Sequence, residues 1–187
     1  MKSILKILPV ALMAIIMSCN SQNSTTSSSS ENNATGGAGQ EAVNDTSSQK
    51  DIVKVASASK DFTTLVAAVK QADLVTSLSN AGPFTVFAPT NDAFNKLPAG
   101  TVDGLMKDDK KADLQNILQY HVALAVMKAE SFTDGQVIGM ANGDNITLSV
   151  KDGKVTINGT AHIIASVPAA NGIIHVIDGV LLPPAKK

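Results

Sequence analysis

The thirteen residues from Gly82 to Phe94, Gly-Pro-Phe-Thr-Val-Phe-Ala-Pro-Thr-Asn-Asp-Ala-Phe, hold a complete strand-to-helix corner and constrain the fold more than any other stretch. Gly82-Pro83 ends whatever precedes it. Phe84-Thr85-Val86-Phe87 is aromatic and β-branched, which predicts a short strand buried on at least one face. Pro89 stops the ladder, because its ring removes a donor and biases Ala88 away from the helical region. Thr90 or Asn91 then caps a new helix. Asp92 falls in its first turn, where the macrodipole favours a negative charge, and Phe94 folds back toward the strand. Capping accounts for all three polar residues without invoking catalysis.

The chain opens with a short n-region flanked by Lys2 and Lys6, then an apolar run, Ile7 to Met17, followed by Ser18 and the only cysteine, Cys19. The run is too short to span a bilayer, for which about twenty apolar residues are needed. It resembles a bacterial lipoprotein signal, residues 1–18, cleaved before Cys19. That resemblance implies an acylated N-terminus with enough chains for stable anchoring, and Asn20 resembles outer-membrane sorting. Residues 19–50 are rich in Ser, Thr, Asn, Gln and Gly, with Val43 the only apolar side chain larger than alanine. Such a segment cannot bury a core and reads as a disordered tether with a coil-like reach of about 30 Å.

Residues 51–187 are the usual size of one domain with one core. With Lys2 and Lys6 removed from the 15 basic residues, 13 remain against 16 acidic, so the mature chain carries −3. Its lysines are dispersed, which argues against nucleic acid as a partner. With Cys19 spent, the domain has no thiol for a disulfide, a nucleophile or a metal site. The three histidines, His121, His162 and His175, show no zinc spacing, and there is neither a phosphate loop nor a Gly-x-Ser-x-Gly elbow. No cofactor or metal is expected.

Helices come first. Phe62, Leu65, Val66 and Val69 follow a candidate cap at Asp61, and Leu74, Val75 and Leu78 follow one at Asp73. Thr101 is placed to cap a short helix through Met106, and Asp108 or Asp109 a longer one whose face carries Leu114, Ile117, Leu118 and His121. Tyr120-His121 closes that helix, where His121 is favoured if charged or else bonds free carbonyls. Strands follow. Ile146, Leu148 and Val150 alternate with polar residues, Asp152-Gly153 signals a hairpin, and Val155 and Ile157 form the return. After a turn at Asn158-Gly159 comes Ala161 to Ala165. Beyond Pro168 and Asn171-Gly172, the run Ile173 to Leu182 is apolar on both faces and predicts a central strand.

Three segments together resemble the fasciclin domain family: Thr85-Val86-Phe87-Ala88-Pro89-Thr90-Asn91-Asp92-Ala93-Phe94, the triplet Tyr120-His121-Val122, and Asn171 to Pro183, with His175 and Asp178 inside it. The resemblance implies an α+β fold, a helical cluster around a twisted, wedge-like β-sandwich. It also implies a non-catalytic surface module that meets protein or polysaccharide partners in the envelope or matrix, touches membrane through its N-terminal lipid alone, and is monomeric apart from weak self-association. A periplasmic small-molecule or metal-binding protein, or a hydrolase, is the competing class. Two departures stand out. Where many members have a Val-Pro-Gly turn after the triplet, this chain has Ala123-Leu124-Ala125-Val126. Where some animal members present an Asp-Ile pair proposed to bind integrins, this chain has Ser166-Val167.

Overall fold

The structure is a computed structural model that describes residues 50–184. The signal segment, Cys19 and the tether up to residue 49 lie outside the described residues. Six helices and seven strands follow one another as α1 (Ile52–Ala58), α2 (Thr63–Gln71), α3 (Val75–Ser79), β1 (Phe84–Pro89), α4 (Asn91–Asn95), α5 (Thr101–Leu105), α6 (Lys111–Gln119), β2 (Val122–Ala123), β3 (Val137–Gly139), β4 (Asn145–Lys151), β5 (Lys154–Ile157), β6 (Ala161–Ala169) and β7 (Gly172–Ile177). No described helix is long and apolar enough to cross a membrane.

The strands form one ladder in the order β2-β1-β7-β6-β5-β4-β3. Only β1 and β7 are parallel, paired from Phe84 with Gly172 to Pro89 with Ile177. The ladder bends at β6, whose start pairs with β5, whose remainder pairs with β7, and which carries a bulge between Ile163 and Ala165. A bulge sharpens twist and bends its strand, so two halves of one sheet fold toward each other as the sides of a sandwich. This is the expected α+β architecture.

Alternation along β1 and β7 divides the interior into two cores. Val86, Ala88, Ile174 and Val176 face helices α1, α2, α3 and α6, meeting Ile52, Leu65, Val69 and Leu118. Phe87 and Ile177 face the other way, into the space between the sheet halves, against Phe132, Ile146, Leu148 and Ile157. Because successive side chains point to opposite faces, a strand serving both cores must be apolar throughout, and β7 is central as its composition demands.

Several local expectations are corrected. Asp61 caps nothing; Ser59 accepts its N–H, and a 3-10 turn at Lys60–Phe62 precedes α2. Asp73 adopts φ 54° and α3 begins after Leu74 without a side-chain cap. Thr101 is the first residue of α5 after Gly100, and Asp108 and Asp109 lie in a 3-10 turn ahead of α6. The strand expected to stop at Ala165 continues through Pro168 to Ala169, and β7 stops at Ile177 rather than running to Leu182. Asp152-Gly153 and Asn158-Gly159 turn as expected, with positive φ at all four residues.

Candidate functional site

The fold turns the three recognised segments into three neighbouring strands. β7 lies beside β1, and β2, which directly follows Tyr120-His121, pairs with β1 through Val122–Val86 and Ala123–Thr85. Their polar side chains hold main chain from distant parts of the molecule.

Thr85 is fully buried, yet it sits opposite a loop rather than a helix. Its hydroxyl donates to the Ala125 carbonyl at 2.6 Å, and its oxygen accepts the Met127 N–H at 2.9 Å. His175, on the adjacent strand, faces the same side, and one of its ring nitrogens meets the Met127 carbonyl at 2.8 Å while the other meets the Ser166 hydroxyl at 2.8 Å. A carbonyl only accepts, so Nε2 carries the proton and Nδ1 accepts from Ser166. Burial lowers the His175 pKa against the opposing influences of the Met127 carbonyl and the Glu130 charge. The ring also packs edge-on against Phe132 and beside Phe87.

Residues 124–127 therefore form a strap clasped across the central strands. The main chain of the strap turns inward at Ala125 and Met127 to meet Thr85 and His175, while the side chains of Leu124 and Val126 are 65% and 53% exposed. The sequence marks this loop only as a departure from the family's Val-Pro-Gly turn, and nothing in it names Thr85 as the anchor. A single polar residue in the otherwise apolar strand Phe84–Pro89 is the available signal.

Tyr120 and His121 lie on the core side of the α6 terminus, both buried. The Tyr120 hydroxyl donates to the Asn145 carbonyl and accepts from Asn158, each at 3.0 Å. His121 Nδ1–H donates to the Ile117 carbonyl at 2.8 Å, and Nε2 accepts the Leu181 N–H at 3.0 Å. Burial lowers its pKa from 6.5 to about 4, outweighing the Ile117 bond. The alternative of a charged histidine at the helix end is thus overturned, because a proton on Nε2 would confront the Leu181 N–H.

Thr90 caps α4 by accepting the Ala93 N–H at 3.3 Å. Asn91 does something different from the local cap expected. Its Oδ1 accepts the Thr64 N–H at 3.1 Å and the Thr63 hydroxyl at 3.2 Å, and its Nδ2 donates to the Lys60 carbonyl at 2.8 Å. It is the cap that α2 lacks locally, supplied from β1's end. Asp92 is exposed, and Phe94 packs half-buried on the helical core. Asp178 accepts the His162 N–H at 2.7 Å, and its carbonyl accepts from Lys96 at 2.6 Å. Thr90, Asn91, Asp92 and Asp178 share a groove of about 490 Å³ with Asp61, Lys96 and Ile164.

Asn171 and Gly172 close the set. Asn171 accepts the Ile52 N–H at 2.9 Å and donates to the carbonyls of Leu78 and Asn80 at 2.7 and 2.9 Å, tying α1 and α3 to the last hairpin. At Gly172 a β-carbon would lie 2.0 Å from the Phe84 carbonyl oxygen, so β1 and β7 approach closely only because no side chain intervenes.

Among the described residues no group of three or more His, Cys, Asp or Glu is placed to hold a metal. Among the described residues, Ser166 and His175 form a hydroxyl–imidazole pair of the kind a hydrolase uses. Its histidine gives the remaining N–H to the Met127 carbonyl, so no carboxylate is hydrogen-bonded to it to orient and hold the imidazolium that a hydrolytic dyad forms.

Taken together, the fold and this clasp define a small α+β module whose polar motif residues serve its own main chain and whose outward features are a strap and a groove. The fasciclin domain model matches residues 60–183, and the chain belongs to that family. It is 54% identical over 139 residues to Protein sll1483 of Synechocystis sp., covering 74% of this chain and 77% of that protein. It is 36% identical over 146 residues to Immunogenic protein MPB70 of Mycobacterium bovis, covering 74% and 72%. A solved FAS1 domain pair from the insect cell adhesion molecule fasciclin I superposes with TM-score 0.61 at 21% identity, over 72% of this chain and about half (51%) of that one. At that identity the likeness is one of fold.

Proposed function

We propose that the chain is a non-catalytic binding module of the bacterial cell envelope. In this reading Cys19 is acylated, residues 19–50 hold the domain off the outer membrane, and the domain engages an envelope or matrix protein or polysaccharide. The strap carries the reading: Thr85 and His175 fix its backbone from beneath, which presents Leu124 and Val126 as a preorganised apolar surface. Ser166, at the position where some animal relatives carry an aspartate, meets the same His175. A related fold in an insect cell adhesion molecule supports the same reading.

The test is binding of the purified chain to immobilised envelope polysaccharide and envelope protein fractions, with Leu124→Asp/Val126→Asp as the comparison. Binding that falls in the double variant at unchanged denaturation midpoint supports the strap; equal binding refutes it. Anchoring is tested separately, since Cys19→Ser should move the protein from the detergent-extracted to the soluble fraction. The Ser166–His175 contact favours a hydrolase as second reading, and ester turnover abolished by Ser166→Ala would establish it.

A further inference from the structure

The outer edge of β6 is open. Its first residues, Ala161 and His162, pair with β5, and beyond them no described strand pairs with the side facing away from β7. At the far end the Ala170 N–H donates outward, to the Lys50 carbonyl at 3.0 Å. Since successive residues of a strand alternate in the direction of their main-chain groups, Ser166 and Pro168 present theirs on that same outward side. The window between β5 and Lys50 is centred on Ser166, and from Ile163 to Ala170 it contains no charged residue. Ile164, Ala165, Ser166 and Pro168 are exposed, Ile164 by 58%.

An uncharged open edge is a template for another strand unless something interrupts it. Here two interruptions flank Ser166, the bulge at Ile164 on one side and Pro168 on the other. A long uninterrupted strand from another protein would meet both. The segment best matched is an edge with the same two breaks in reverse order, and that is β6 of a second copy. The geometry points to a two-fold, antiparallel β6–β6 dimer centred on Ser166. The two Ser166 residues exchange N–H and carbonyl bonds across the axis, and each Pro168 faces the other copy's bulge, where its missing N–H leaves no buried donor. The interrupted window keeps the contact short and the dimer weak, and closure by the two-fold leaves neither β6 window free for a third copy. The inference stands on the edge alone and does not depend on what the strap binds.

The experiment is sedimentation of the full chain in detergent over a range of concentrations, joined to thiol crosslinking of Ser166→Cys in a Cys19→Ser background. Expected are a concentration-dependent monomer–dimer equilibrium, a crosslinked dimer from Ser166→Cys, and none from Lys107→Cys. Ile164→Asp should leave only monomer while retaining the wild-type circular dichroism and melting temperature. A chain monomeric throughout, a dimer unaffected by Ile164→Asp, or crosslinking equal at positions 166 and 107 would overturn the proposal.

Discussion

His121 and Leu181 are joined across sixty residues of sequence, the ring nitrogen Nε2 of one accepting the backbone N–H of the other at 3.0 Å. The bond fixes the segment that leaves β7 against the end of α6, inside the protein, where neither group has water as an alternative. Tyr120-His121 is accordingly a structural pair in this chain.

Replacing His121 with alanine removes the acceptor for Leu181 and the donor for Ile117. The expected cost is about 1 to 3 kcal/mol, the range for leaving buried main-chain groups unpaired. Equilibrium denaturation and envelope binding measured on the same variant decide the matter, since unchanged stability with abolished binding would make the pair a contact residue instead.

Acidification should weaken the fold through the same side chain. His121 is neutral in the folded state down to about pH 4 and takes up a proton near pH 6.5 when unfolded. Between those values the unfolded chain binds more protons, so stability is complete above pH 6.5 and declines as pH falls toward 4, by about 3 kcal/mol. His175, also lowered, acts in the same direction. Urea midpoints against pH should slope steeply for wild type and less for His121→Ala; parallel curves would remove His121 as the cause.

At Gly172 an added methyl meets backbone, which cannot rotate away. Gly172→Ala should force β1 and β7 apart, at a cost of about 3 kcal/mol. Thermal melting or soluble yield reports it, and a variant as stable as wild type would show that the two strands separate easily.

Thr85→Val keeps shape and removes both strap bonds. Trypsin cleavage after the exposed Lys128 should accelerate several-fold while the melt shifts by only about 1 to 2 kcal/mol. Cleavage at the wild-type rate would mean that His175 alone holds the strap.

Some of this was legible from residues alone because the signals were local. Asp152-Gly153 and Asn158-Gly159 specify positive φ wherever they occur, and β7 declares itself by being apolar on both faces. Failures came where the partner is distant. Helix α1 was not anticipated: Ile52, Val53 and Val55 are β-branched, and what makes them helical is the Asp51 cap on the Lys54 N–H together with Asn171 reaching Ile52 from the other end of the domain. Helix α2 takes its cap from Asn91, far along the chain, and Asp61 just upstream is a false signal. The short strands β2 and β3 have too few residues to show alternation. Thr85 and His175 were noticed as motif members, but their shared hold on Met127 exists only once β1 and β7 lie side by side.

The Lys50 carbonyl and the Ile52 N–H are both held at the turn between β6 and β7, by Ala170 and Asn171. A pull arriving from the N-terminal side is therefore met first by these two bonds and by α1, a single short helix lying over the helical core, before it reaches any strand. Between these bonds and the strap lies the six-residue parallel register of β1 with β7. The strap is clasped to the other face of the same sheet, through Thr85 and His175, so it is not joined directly to the bonds at Lys50 and Ile52.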